Sequence, residues 1–351
     1  MSRSTVPRHA PHLSWRSVLF LAAAIAVTVI VVTRLTDARN LLSVLSKGLW
    51  LPLALAACIH VLYFVLYAVL YRLGFATVGV RCRVRALVPL VFASLFVNSI
   101  VPTGGSGAAL FIDDAVRRGE SGARTTAGVL LVLIADLITL VPFIVYANLY
   151  LLSRNALPSY VLVASILYLF FICCLASALV LARISPALLR RITGWIQRAV
   201  NWVAARFRRP DLTGTDWAER NAEGFINASD ALVHHPVTLG MTLLWSLFIH
   251  LTNLLGLILL FLAFGRLPDL RVVTVGFTLG IVFFIVAIIP QGVGAVEGVM
   301  TLTFISLGVP QTVAVAVVLA FRGFNFWLPL FIGFLMLRSV SLFRSPPRVS
   351  Y

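Results

Sequence analysis

Long apolar runs alternate with short polar or arginine-bearing breaks along nearly the whole chain. Runs over 17–33, 49–71, 125–151, 158–182, 236–264 and 311–337 are almost free of charge. About 20 helical residues, rising 1.5 Å each, cross a hydrocarbon layer of about 30 Å, so these windows predict six full transmembrane helices. Two further apolar stretches, 86–101 and 271–289, end abruptly in Pro/Gly-rich loops and break the pattern.

The first broken unit reaches Asn98-Ser99-Ile100-Val101-Pro102, passes through Thr103-Gly104-Gly105-Ser106-Gly107, and continues as a helical stretch to Arg117-Arg118-Gly119. Its opening piece is short for a span, and its return carries Asp113 and Asp114, which are unsuited to lipid. Arginines flank both ends, so a hairpin that enters and leaves on one side is the economical solution. The second unit reaches Ile289-Pro290, passes through Gln291-Gly292-Val293-Gly294-Ala295-Val296-Glu297, and runs on to Gly308-Val309-Pro310. Its flanks fall on the opposite side, so it is the first unit turned upside down. Proline removes a backbone donor and glycine tolerates unusual angles, so both chains unwind at depth. Unwound backbone must line protein or a watery cavity, because lipid cannot satisfy it. The expected fold is therefore all-α, a polytopic membrane bundle with two oppositely oriented re-entrant broken-helix hairpins, as in inverted-repeat transporters. Two kinked but ordinary helices are the plainer alternative.

Composition agrees with that solvent. Apolar residues make up 60% of the 351 positions and charged residues 11%, against about 25% charged in soluble domains. The net charge of +16 follows topology and does not point to nucleic acid. With the N-terminus in the cytoplasm and each long run crossing, 21 of the 28 Lys/Arg residues fall inside, six fall outside and Arg322 lies mid-membrane. The positive-inside rule thus puts both termini in the cytoplasm of an inner or plasma membrane. Residues 1–16 read as a cytoplasmic tail, 17–340 as one transmembrane domain, and 341–351 as a disordered tail. Arg3, Arg8 and Arg16 ahead of an apolar run resemble a signal peptide, but no small-x-small cleavage site follows before Arg34, which favours an uncleaved first helix.

The one sizeable extramembrane segment is 183–235. Leu188, Ile192, Trp195, Ile196, Ala199, Val203 and Phe207 recur there at helical spacing, with Arg190, Arg191 and Arg198 among the residues between. This pattern fits an interfacial helix whose arginines meet anionic headgroups, or else a loop helix packed on the bundle. The five acidic residues within 211–232 are placed to fold back against those arginines. Asn227 begins a glycosylation sequon, but topology puts it inside. His234-His235 read as interfacial polar residues, and Cys173-Cys174 as core packing.

Helix N-termini after Gly105–Gly107 and after Gly294 would aim N–H groups and positive dipole ends inward, which favours an anion such as phosphate or carboxylate. His60, Asp136, His250 and Arg322 sit near the middle of their apolar runs. Isolated charges there cost at least about 3 kcal/mol each, so they should face the interior and pair, Arg322 with Glu297 or Asp136. Ser246, His250 and Asn253 share one helical face, as do Arg322 and Asn325. Tyr63, Tyr67 and Tyr71 form a stripe expected to serve packing and interface anchoring. The other role open to the buried charges is purely structural, fixing how helices pack.

The run Pro290-Gln291-Gly292-Val293-Gly294-Ala295-Val296-Glu297-Gly298, then Leu307-Gly308-Val309 and Ala320-Phe321-Arg322, resembles the lysylphosphatidylglycerol synthase transmembrane-region family, often described as flippase-like. Asn98 to Pro102 with Gly104-Gly105, Arg118-Gly119 and Asp136 fits the family's first half, and the resemblance spans roughly residues 15–340. Where many members carry Arg or Glu after the first glycine pair, this chain has Ser106, Gly107, Ala108 and Ala109. The resemblance implies translocation of a phospholipid or lipid-linked anionic molecule between leaflets. It does not imply lipid aminoacylation, whose soluble domain does not fit in this chain; a separate lipid-modifying enzyme is the partner it suggests. The substrate is expected to meet Pro102, Gly104, Gly105, Gly292, Gly294, Glu297, Arg322 and Asn325, with Asp136, His250 and His60 as gating or coupling groups. No catalytic residue, cofactor or metal is expected, and no Walker motif is present. The rivals are a transporter of a soluble anionic metabolite, a membrane-embedded enzyme acting on phospholipid or polyprenyl phosphate, and a structural subunit.

Overall fold

A computed structural model describes residues 49–100, 106–206, 217–266, 269–286 and 292–336. The 17–33 window, both tails, and the loop holding Pro102, Gly104 and Gly105 lie outside the described residues. All regular structure within them is helical: α1 (Trp50–Thr77), α2 (Val84–Ile100), α3 (Ser106–Arg117), α4 (Gly122–Ser153), α5 (Ser159–Ile184), α6 (Pro186–Arg206), α7 (Trp217–His234), α8 (Pro236–Ala263), α9 (Leu270–Val286), α10 (Ala295–Ser306) and α11 (Gln311–Arg322), which passes through a π-helical turn (Gly323–Trp327) into α12 (Leu328–Met336). Five helical stretches, namely α1, α4, α5, α8 and Gln311–Met336, are long and apolar enough to cross a membrane. The last was expected as one uninterrupted helix; the π turn widens it at Gly323.

At the centre, α1 and α8 pack antiparallel. Leu49 N–H donates to the Ala263 carbonyl at 2.7 Å, the His60 ring covers Gly256, and Trp245 Nε1 donates to the Leu66 carbonyl at 3.0 Å. The short helices that follow the C-termini of this pair therefore enter the bundle from opposite ends. Each set is a hairpin with arms of 17 and 12 residues. In the first, Gly107 of α3 lies so close to α2 that an added Cβ would meet the Ser94 carbonyl at 2.6 Å. In the second, Gly276 and Gly280 of α9 face Phe304 and Met300 of α10, an antiparallel register that only glycine admits at this distance.

The two halves also interlock. The first arm of each hairpin packs on the closing helix of the other half. Gly333 of α12 rests on the Phe92 carbonyl of α2, while Phe277 of α9 meets Phe143 of α4 and Val282 packs with Leu140 and Ile144. Among the described residues, a long helix, a 17/12 helical hairpin and a closing helix thus occur twice, in opposite senses.

Outside this core, α5 turns Leu162, Val163, Ile166, Leu167, Phe170 and Phe171 outward. Cys173 and Cys174 share that outer surface and are exposed, because the buried stripe of α5 follows Val161, Ala164, Tyr168 and Leu179; core packing is not their role. Helix α6 rests on α7 through Leu189, Thr193 and Ala204, leaving Ile192, Trp195, Trp202 and Val203 exposed beside Arg191 and Arg198. Of the acidic residues expected against the arginines of α6, Asp230 instead meets Arg183 at 3.4 Å, at the end of α5. Asp113 and Asp114 pair one turn along α3 with Arg117 and Arg118 at 2.7 and 2.6 Å.

The junction of the halves is tight enough to test. Gly333→Ala drives a Cβ into a backbone carbonyl that cannot rotate away, and should lower stability by about 1–3 kcal/mol. Gly240→Ala, with nothing within 4 Å of the new carbon, should be neutral or slightly stabilising. Thermal unfolding of both variants in one detergent separates the two outcomes.

Candidate functional site

The site begins at the tip of the second hairpin. Gly292 and Gly294 have φ of 60° and 84°, the left-handed region that side chains resist, and they swing the chain into α10. Glu297 in the first turn of α10 accepts from the Gly294 N–H through Oε2 at 2.7 Å and from Arg322 Nε through Oε1 at 2.7 Å. Both side chains are buried, at 6% and 4% exposure for Arg322 and Glu297. The guanidinium also lies 4.9 Å from the centroid of Phe326, which the π turn carries under it. Of the two carboxylates open to Arg322 from sequence, Glu297 is its partner.

One expectation is corrected here. The N–H of Gly294 does not face the interior bare, because Glu297, three residues on, bends back and caps it. A helix N-terminus carries about half a positive charge, so the Arg322–Glu297–Gly294 group still sums to a net positive site.

A second polar centre lies where α1, α4 and α8 meet. Tyr67 donates to both carboxylate oxygens of Asp136 at 2.9 and 3.0 Å, and Ser246 donates to Oδ1 at 3.2 Å. His250 Nε2 stands 3.1 Å from the Asp136 backbone carbonyl and 3.4 Å from Oδ1. Thr139 closes the group by bonding Ser246 at 2.9 Å. No Lys or Arg pairs with Asp136 among the described residues. Tyr67 was expected only to pack and anchor. The signal that identifies it is chemical: a tyrosine hydroxyl inside a membrane needs an acceptor, and a mid-span carboxylate needs donors.

His60 is fully buried. Its Nδ1 faces the Ala56 carbonyl at 2.7 Å, and its ring stacks on Phe324 of the π turn at 5.2 Å. Among the described residues its Nε2 has no hydrogen-bond partner, and neither does Oδ1 of buried Asn253, one helical turn from Gly256. Asn325 turns its amide back to the Phe321 carbonyl at 3.3 Å; no described contact brings it to the ion pair, because the π turn breaks the spacing that put the two on one face. Among the described residues no group of three His, Cys, Asp or Glu could hold a metal ion.

The match to known proteins covers almost all of this architecture. The profile of the lysylphosphatidylglycerol synthase transmembrane region spans residues 19–333. The chain belongs to this family. Similar members include a UPF0104 membrane protein of Pyrococcus horikoshii, 25% identical over 289 residues that cover 79% of this chain and 82% of the relative. Another UPF0104 membrane protein, from Methanothermobacter thermautotrophicus, is 23% identical over 290 residues, 78% of this chain and 81% of the relative. The protein is thus a multi-pass membrane protein built as the family's transmembrane region, with both polar centres inside the matched span.

Removing one member of a buried pair strands the other charge, which costs about 3–5 kcal/mol in proteins generally. Arg322→Met and Glu297→Gln should each lower the unfolding midpoint strongly, and the double variant should recover most of the loss. Additive losses in a double-mutant cycle would show that the pair is not coupled.

Proposed function

We propose that the protein is a flippase-like transporter that moves a phospholipid or a lipid-linked anionic molecule between leaflets, and not an enzyme. The observation that carries this reading is the buried Glu297–Arg322 pair at the tip of a hairpin whose return arm has 12 residues. Twelve residues of helix rise about 18 Å, too little to cross about 30 Å of hydrocarbon, so the tip lies at membrane depth. An ion pair with a net positive surround at that depth suits an anionic headgroup.

The choice of lipid over a soluble anion draws on the neighbouring surface. A concavity of 480 Å³ adjoins the π turn and is lined by Leu53, Phe264, Ala320, Gly323, Phe324 and Trp327, among other apolar residues. Its apolar lining suits acyl chains, whereas a soluble metabolite would gain nothing there. Asp136, His250 and His60 act as gating or coupling groups. Most arginines gather at the end of the bundle holding the α1–α2 and α5–α6 turns, which supports a cytoplasmic assignment for that end in a cell membrane and for both termini. Arg190, Arg191 and Arg198 there meet anionic headgroups, with Trp195 and Trp202 in the interface. A separate lipid-modifying enzyme would supply or consume the cargo.

Purified protein in vesicles, given fluorescent phospholipid and lipid-linked sugar analogues, tests this directly. Wild type should move at least one class between leaflets, with a fall of about tenfold or more in Arg322→Ala and Glu297→Gln, equivalent to about 1.4 kcal/mol in the barrier. Equal scrambling by all variants, or none by any, would remove the proposal.

A further inference from the structure

The two buried carboxylates of this protein are neutralised in different ways. Glu297 has a guanidinium at 2.7 Å, and a guanidinium never gives up its proton, so that pair keeps one charge state. Among the described residues, Asp136 has an imidazole at 3.4 Å and otherwise only hydroxyl donors, Tyr67 and Ser246. The other titratable groups facing this centre are Tyr63 and Tyr71 on α1 and Tyr168 on α5, whose hydroxyl donates to the Leu137 carbonyl at 2.8 Å. None is a cation. In hydrocarbon, an Asp136 carboxylate beside a neutral His250 would be an uncompensated charge. The pair is balanced only when it holds one proton, either on the Asp136 carboxyl or on the imidazole.

The geometry bears on which ring nitrogen already carries a hydrogen. His250 Nε2 faces the Asp136 backbone carbonyl, which can only accept, so Nε2 carries a hydrogen and a further proton enters the ring at Nδ1. The Asp136 side chain is 25% exposed and that of His250 4%, so of the two it is Asp136 through which the pair meets its surroundings. We propose that Asp136 and His250 form a one-proton binding site, and that the proton is the ion coupled to transport. The coupling rests on the transport reading above; the site itself does not. Loading and unloading exchange one proton with water: the loaded pair is net neutral, and the unloaded pair carries one negative charge held by Tyr67 and Ser246.

Infrared difference spectra of the full-length protein in lipid nanodiscs, recorded over a pH series, test the site without any transport assay. A carboxyl or carboxylate band that changes with pH, vanishes in Asp136→Asn and moves in frequency in Asp136→Glu is expected. In His250→Gln its midpoint should move by about one pH unit or more, because one unit is the scale of a nearby charge. Glu297→Gln should leave it in place. Absence of an Asp136-dependent band, or a midpoint unmoved by His250→Gln, overturns the proposal. Vesicles carrying an imposed pH gradient then separate the two ideas. If the band titrates as described but no lipid moves, the proton site stands and the transport reading falls. If lipid moves at a rate indifferent to the gradient, coupling to the proton is wrong while transport stands.

Discussion

Hydrocarbon offers no hydrogen bonds, and that constraint bears on the two short-armed hairpins of this chain. An interrupted helix at depth exposes amide groups that must find partners within the protein. At the second hairpin Glu297 supplies one by capping Gly294, and the charge this introduces then requires Arg322. At the first hairpin Asn98 supplies the same service without charge, its Oδ1 accepting from the Gly107 N–H at 2.7 Å. The two tips solve one backbone problem with different chemistry. The ionic solution costs more to bury, and it gives its half of the molecule a fixed cation that the other half lacks at its cap.

The interlocking of halves makes that difference consequential. Because α2 leans on α12 and α9 leans on α4, neither hairpin can shift without moving the closing helix of the opposite repeat. Those closing helices bear the charges: Asp136 lies on α4 and Arg322 ends α11. A change in charge at Asp136 therefore acts on the helix that supports the second hairpin, and a ligand at Arg322 acts near the helix that supports the first. The reciprocal packing provides a physical connection between the two centres, of the kind allostery requires if the bundle has two arrangements.

Much of this was legible in the sequence because the signals were compositional. The long apolar runs, the Pro/Gly breaks and the arginine distribution identified a membrane bundle, two hairpins and the Glu297–Arg322 pairing as one of two options. The remainder depended on rotation of helices about their axes, which apolar runs do not encode. A run that is apolar all round has no preferred face, so the sequence does not reveal that Cys173 and Cys174 face outward or that Tyr67 holds Asp136. The π turn was invisible for a related reason: Gly323 to Trp327 is as apolar as its neighbours, and one wider turn leaves no mark in hydropathy.

That turn carries more than its length suggests. It follows directly on Arg322, places Phe326 under the guanidinium, and places Phe324 against His60 on α1. A π turn sacrifices regular backbone bonding and recurs at functional sites because it reorients side chains that a straight helix would leave apart. Here a straight continuation would return Asn325 to the face of Arg322; the wider turn instead places the Phe326 ring against the guanidinium and leaves the Asn325 amide on the Phe321 carbonyl. The ring of His60 is also wedged against Phe321, at 5.6 Å, so α1 senses the position of both sides of the turn.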